Sequence, residues 1–217
     1  YGEIDYMDTG IAKLYDAEST WAFNNFEKAK MPQYVKLLNS MQGTDMQYIL
    51  HTSKGCAFKC AFCGQANSGK KLRAQSVDLV IKQIQFLYDN YGINKFTFID
   101  NIFSGFRNRA KDICRELIKS GLNKKIKYDV QDRVRYYDDE LAKLLKESGC
   151  EWVKVGVETS DPVTQKYIDK STDYYKEIDK MKLIKRYGLK LGFYMISGIP
   201  GETVKTHWLN AKFYVDS

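Results

Sequence analysis

From about residue 46 onward the chain alternates two kinds of apolar pattern. Short runs rich in β-branched and aromatic residues read as five strands: Tyr48-Ile49-Leu50, Phe96-Thr97-Phe98-Ile99, Tyr128-Asp129-Val130, Trp152-Val153-Lys154-Val155-Gly156-Val157 and Leu191-Gly192-Phe193-Tyr194-Met195-Ile196. Between them apolar residues recur at three- and four-residue spacing. Val77, Val80, Ile81, Ile84, Leu87, Tyr88 and Tyr91 predict one helical face, with Ser76 placed to cap its start and Gly92 to end it. Phe106, Ala110, Ile113, Cys114, Leu117 and Ile118 predict a second, ending at Gly121. Leu141, Leu144 and Leu145 mark a third, 162–169 and 174–187 two more, and a last begins near Thr203. Residues 1–45 carry many aromatics and no clean period beyond a short helix at 34–38, so they read as an N-terminal preamble to a core at 46–217.

Strands alternating with helices of this length imply α/β architecture built from parallel βαβ units, either an open sheet or a barrel. In both, chemistry gathers at the carboxyl ends of the strands. The residues that follow the five strands are His51-Thr52-Ser53, Asp100-Asn101, Gln131-Asp132-Arg133, Glu158-Thr159-Ser160 and Ser197-Gly198. Four of these sets carry side chains suited to a ligand.

The loop after the first strand adds a specific chemistry. Cys56, Cys60 and Cys63 are spaced Cys-x3-Cys-x2-Cys, three of the five cysteines within eight residues. Three thiols so close cannot pair evenly, and 217 residues with two further scattered cysteines are not a small disulfide scaffold. A metal or a cluster is left. A structural zinc requires a fourth ligand, and neither His51 nor His207 lies in a second ligand pair. Cys114, on an apolar helical face, and Cys150, between a helix and a strand, read as core thiols. A 4Fe-4S cluster takes one thiolate per iron, so three cysteines leave one iron open for a substrate or cofactor, and the missing ligand points to catalysis over plain electron transfer. Arg133 has the charge and fork geometry for a carboxylate, against a surface ion pair as the alternative.

This loop, with Phe62 just before the third cysteine, and the later phrases GVETS at 156–160 and SGIPGET at 197–203, resemble the radical S-adenosylmethionine enzymes over residues 46–217. The resemblance implies a partial (β/α)6 TIM-like barrel of parallel strands, ending before the sixth strand. It implies a 4Fe-4S cluster on Cys56, Cys60 and Cys63, and S-adenosylmethionine chelated at the open iron and cleaved to a 5'-deoxyadenosyl radical that abstracts hydrogen from an organic substrate. Phe62 and Ile199 correspond to adenine contacts, Glu158 and Ser160 to the ribose and methionyl group. Asp100 and Asn101 stand where many members carry a Gly-Gly-Glu-like phrase that binds the methionine amino group, and here the phrase departs. Asp161-Pro162 supplies a helix cap, which leaves Ser160 without that duty, and no structural duty is visible for Glu158.

The run from Asp129 to Glu158 looks like the cobalamin-associated and methylthiotransferase-like branch. Neither histidine sits in an Asp-x-His-x2-Gly phrase, so cobalamin would come from a missing domain. The rival readings are a radical methyl- or methylthiotransferase acting on RNA or protein, and a non-enzymatic iron-sulfur or zinc protein. Charge adds little: +7, from 34 basic against 27 acidic residues, weakly supports a nucleic-acid partner. No run is long and apolar enough for a membrane helix, so a cytoplasmic setting is the default, and the resemblance implies a reductant such as flavodoxin or ferredoxin. Tyr1 at the start and an uncapped last helix read as an excerpt of a longer protein.

Overall fold

The computed structural model describes residues 31–40, 47–64, 72–170 and 174–217. Helix α1 (Met31–Ser40) contains the helix expected at 34–38. The rest of the preamble lies outside the described residues.

The five anticipated strands form one sheet. Strands β1 (Tyr48–Leu50), β4 (Lys95–Phe98), β5 (Lys127–Asp132), β6 (Cys150–Glu158) and β7 (Lys190–Met195) lie in the order β1-β4-β5-β6-β7. Every pairing is parallel. The helices α2 (Val77–Tyr91), α3 (Arg107–Lys119), α4 (Asp139–Glu147), α5 (Pro162–Tyr167), α6 (Tyr174–Arg186) and α7 (Val204–Asp216) follow in alternation. The sheet is a partial barrel of five strands, one of the two arrangements the rhythm allowed and the one the resemblance implied.

Local chemistry sets the helix ends. The Ser76 side chain accepts from the N–H of Leu79, and Gly92, at φ 68°, donates its N–H back to Leu87 and Tyr88. Asp138 caps α4 through the N–H of Leu141, and Asp161 caps α5 through that of Val163, with Pro162 in the first turn.

Strand alternation separates two faces. Leu50, Phe98, Val130, Val153 and Leu191 lie opposite one another across the sheet, forming an apolar ladder beneath the helices. Phe98 stacks on Tyr128 at 4.8 Å, and Cys114 and Cys150 are buried in this core as expected. The opposite face carries Ile49, Thr97, Asp129 and Lys154, which line a groove of about 710 Å³. There Asp129 Oδ2 accepts from Lys154 at 2.9 Å and from Gln47 at 2.8 Å.

One element was not anticipated. Strand β2 (Ser53–Lys54) pairs antiparallel with β3 (Arg73–Ala74), and the cysteines stand on the segment between them. Two-residue strands are too short to show a period, so no sequence pattern announces them.

Candidate functional site

The cysteine loop leaves the sheet through a tightly held stem. Asp100, fully buried at the end of β4, accepts from the N–H of Thr52 at 2.6 Å and of Ser53 at 2.8 Å with Oδ1, while Oδ2 takes the Thr52 hydroxyl. Arg109 of α3, 3% exposed, donates to Thr52 O and Gln75 O, each at 2.8 Å. Asn101 Nδ2 donates to Gly55 O at 2.9 Å, at the mouth of the loop. Asp100 was expected as an acceptor for an ammonium group; here both its oxygens already accept bonds inside the stem, where it positions the loop.

Within the loop, Cys60 is buried and Cys56 and Cys63 are half-buried, and all three are free thiols. The N–H of Cys63 donates to Cys60 O at 3.0 Å, and that of Ala61 to Ile168 O at 2.9 Å, which ties the loop to the end of α5. Phe62 is 44% exposed, an aromatic face beside the third cysteine. Burial pushes the Cys60 thiol up, with the Arg133 and Lys170 charges drawing it the other way.

Arg133, just past β5, reaches across to this loop. Its Nη2 stands 3.2 Å from Cys60 Sγ, and its guanidinium lies 3.7 Å over the Phe58 ring. Its Nη1 is buried and has no hydrogen-bond partner among the described residues. The surface ion pair considered for Arg133 is therefore not what the structure contains. Asp132 beside it accepts from Ser104 and from the Tyr137 hydroxyl, and burial raises its carboxyl to about 7 against the pull of those donors.

At the end of β6 the backbone kinks. Glu158 sits at φ 66°, a left-handed conformation that side chains seldom adopt, where the β6–β7 register shifts between Gly156 and Glu158. Its Oε1 accepts from Lys170 Nζ at 2.9 Å, and the same ammonium donates to Gly156 O. The lysine side chain is only 4% exposed, and burial lowers its pKa against the attraction of Glu158. Among the described residues Glu158 Oε2 receives no bond, so Glu158 has a structural duty on one oxygen that the sequence did not reveal. Ser160 also differs from expectation: Asp161 does cap α5, but the Ser160 hydroxyl and N–H both donate to Asn210 Oδ1 of α7, at 2.9 and 2.7 Å. Past β7, Ile199 is 5% exposed, and Glu202 Oε2 accepts from its N–H at 3.2 Å and from that of Gly198.

The structure thus brings Cys60, Arg133, Lys170 and Glu158 into one region. Lys170, Arg109 and Asn210 were missed by sequence reading. Each is one polar residue in a basic or helical stretch, distinguished only by its burial or its partner in space.

The sequence profile of the Radical SAM superfamily matches residues 50–213. The chain belongs to that superfamily. It is 36% identical over 204 residues to an uncharacterized methyltransferase of Pyrococcus horikoshii, covering 92% of this chain and 43% of the relative. It is 28% identical over 153 residues to the cytidylyl-2-hydroxyethylphosphonate methyltransferase of Streptomyces wedmorensis, covering 70% of this chain and 28% of the relative. The fold matches the radical S-adenosylmethionine methyltransferase TsrM of Kitasatospora setae, bound to cobalamin and a 4Fe-4S cluster, with a TM-score of 0.70 at 21% identity over 78% of this chain and 32% of that one. The chain spans less than half the length of these proteins.

Members of the superfamily use a 4Fe-4S cluster and S-adenosylmethionine, and the residues here fit both. Among the described residues no group of three Cys, His, Asp or Glu side chains is arranged to hold a single metal ion. Among the described residues Arg133 Nη1 is a buried cationic donor without an acceptor, a position that suits an anionic cluster or a carboxylate. No helix among the described residues is long and apolar enough to cross a membrane.

Proposed function

We propose that the chain forms the cofactor-binding core of a radical S-adenosylmethionine enzyme that transfers a methyl group to an organic substrate. The single observation that carries the reading is Arg133: a half-buried side chain on Cys60, the middle cysteine of three, with one buried nitrogen that has no partner among the described residues. In this reading Cys56, Cys60 and Cys63 hold the cluster. When bound there, the cluster supplies the electron that splits the sulfonium of S-adenosylmethionine into methionine and a 5'-deoxyadenosyl radical.

The chain's own residues bind, orient and shield. Arg133 Nη1 meets the carboxylate of the methionyl group, and Glu158 Oε2 accepts from the cofactor's hydroxyl or ammonium groups while Lys170 holds Oε1. Phe62 and Ile199 cover the adenine, one as an exposed ring and the other as a buried wall. Ser160 and Asn101 border the site and shape it, whereas Asp100 only sets the loop. Methyl transfer is drawn from the relatives, whose names place that reaction on varied small molecules; cobalamin and the substrate contacts would come from a segment beyond these residues. A cytoplasmic setting, with flavodoxin or ferredoxin as reductant, completes the proposal.

Anaerobic reconstitution tests it. Wild-type protein should take up about four irons and four sulfides, the complement of one cubane. Cys56→Ala, Cys60→Ala and Cys63→Ala should each lose the cluster, while Cys114→Ala keeps it. Reduced protein should release 5'-deoxyadenosine from S-adenosylmethionine. Stoichiometric zinc without iron-sulfur absorbance would overturn the reading.

A further inference from the structure

Arg133 makes more contacts than carboxylate binding requires, and those contacts are all to the cysteine loop or its support. Phe58 and Cys60 both belong to the loop, so the guanidinium pins it from two directions, as a plane over a ring and as a donor to sulfur. The backbone behind it is fixed as well. The Arg133 N–H donates to Asp132 Oδ1 at 2.8 Å, and Asp132 is itself held by Ser104 at 2.7 Å and by Tyr137 at 3.0 Å. Cys60 is also the buried cysteine of the three, so water competes least for its sulfur.

We propose that Arg133 is a tuning residue that raises the reduction potential of the cluster through an N–H···S hydrogen bond to Cys60. The inference rests on the cluster reading above. A reduced cluster carries one more negative charge than an oxidised one, and part of that charge resides on the ligating sulfurs. A guanidinium hydrogen-bonded to one of those sulfurs stabilises the reduced state more than the oxidised state. Arginine stays charged across the working pH range, so the effect is constant. Nη1 remains available for the cofactor, which couples the two cofactors through one side chain.

The experiment is a redox titration of the reconstituted chain, followed by the EPR signal of the reduced cluster, with no substrate and no turnover. Arg133→Met keeps an unbranched apolar stem and removes every side-chain donor. At a fixed solution potential its ratio of reduced to oxidised cluster should fall about tenfold, equivalent to a midpoint about 59 mV more negative for a one-electron couple. Arg133→Lys keeps the charge without the planar fork and should recover part of the loss. Phe58→Leu leaves Arg133 in place but removes its platform, and should shift the midpoint in the same direction by less, a second readout if Arg133→Met assembles cluster poorly. Equal midpoints in all four proteins, at equal iron content, would overturn the inference while leaving the cluster reading intact. Failure of wild type to assemble a cluster would overturn the reading itself.

Discussion

Two strand ends, that of β4 and that of β6, present the same signal in the sequence: an acidic residue directly at or after a strand, followed by polar neighbours. They do different things. Asp100 is fully buried and gives both oxygens to Thr52 and Ser53, and it is not among the residues with a left-handed backbone. Glu158 stands on a register shift at φ 66° and gives one oxygen to a buried lysine. A satisfied carboxylate in regular backbone is scaffold. Strained backbone that holds a half-satisfied carboxylate against a buried cation costs stability locally, which is the pattern expected where a ligand completes the set.

The comparison breaks most visibly at Asp100. Replacing it with Ala strands two buried backbone N–H groups and the Thr52 hydroxyl, and it removes a buried carboxylate from the stem. The expected cost is about 3–5 kcal/mol of stability, the range for breaking a buried charged network. Thermal unfolding of Asp100→Ala should show it as a large fall in Tm, with cluster assembly failing because the loop stem has lost its anchor. A small fall would mean that the stem is held chiefly from the Arg109 side.

Glu158→Gln should separate the two ends. The glutamine keeps the shape but leaves Lys170 without a counter-charge, and a lysine so buried then sheds its proton readily. Affinity for S-adenosylmethionine should drop roughly 5- to 100-fold, the equivalent of about 1–3 kcal/mol, while Tm moves less than in Asp100→Ala. Calorimetry on reconstituted protein decides. Unchanged affinity alongside a large loss of Tm would place Glu158 with Asp100 in the scaffold.

A gentler perturbation acts on the same pair without removing a charge. A Cβ added at Gly156 would lie 2.5 Å from Glu158 Oε1 and 3.0 Å from Lys170 Nζ, so both side chains must shift. Gly156→Ala should cost about 1–3 kcal/mol through overpacking. Its effect on cofactor affinity should exceed that of Gly192→Ala, where the nearest atom, on Lys154, is at ordinary contact distance of 3.5 Å. Equal effects at the two glycines would show that strand flexibility, not the pair, was being measured.

The sheet was legible because burial of one face imposes a period: Phe98, Val130 and Val153 must point the same way, and the alternation shows it. The three cysteines were legible because ligation imposes a spacing. Lys170 was not, since the sequence gives one lysine among many and only the fold puts it 2.9 Å from Glu158. The partners of Asp100 were not legible for the converse reason. An aspartate after a strand serves a ligand or a neighbouring loop equally well, and which it serves depends on Thr52, which lies 48 residues away. Local periodicity is written in the sequence, whereas pairings between distant polar groups are settled only by packing.

Ser160 gives the smallest and most discriminating test. Its hydroxyl and N–H share Asn210 Oδ1, which straps the loop after β6 to α7. Ser160→Ala removes one bond and leaves the N–H contact, so the strap should weaken by about 0.5–1.5 kcal/mol. Asn210→Ala instead strands both Ser160 donors while leaving the Ser160 side chain in place. If Ser160 only fastens the loop, Asn210→Ala should lower Tm more than Ser160→Ala does, and any loss of cofactor affinity should follow the same order. If the hydroxyl also meets S-adenosylmethionine, that order reverses for affinity: Ser160→Ala should then weaken binding by a few-fold while Asn210→Ala, which frees the hydroxyl, weakens it less. Tm and affinity measured on the two variants therefore separate a strap from a cofactor contact, because a strap makes the two quantities fall together and a contact makes them diverge.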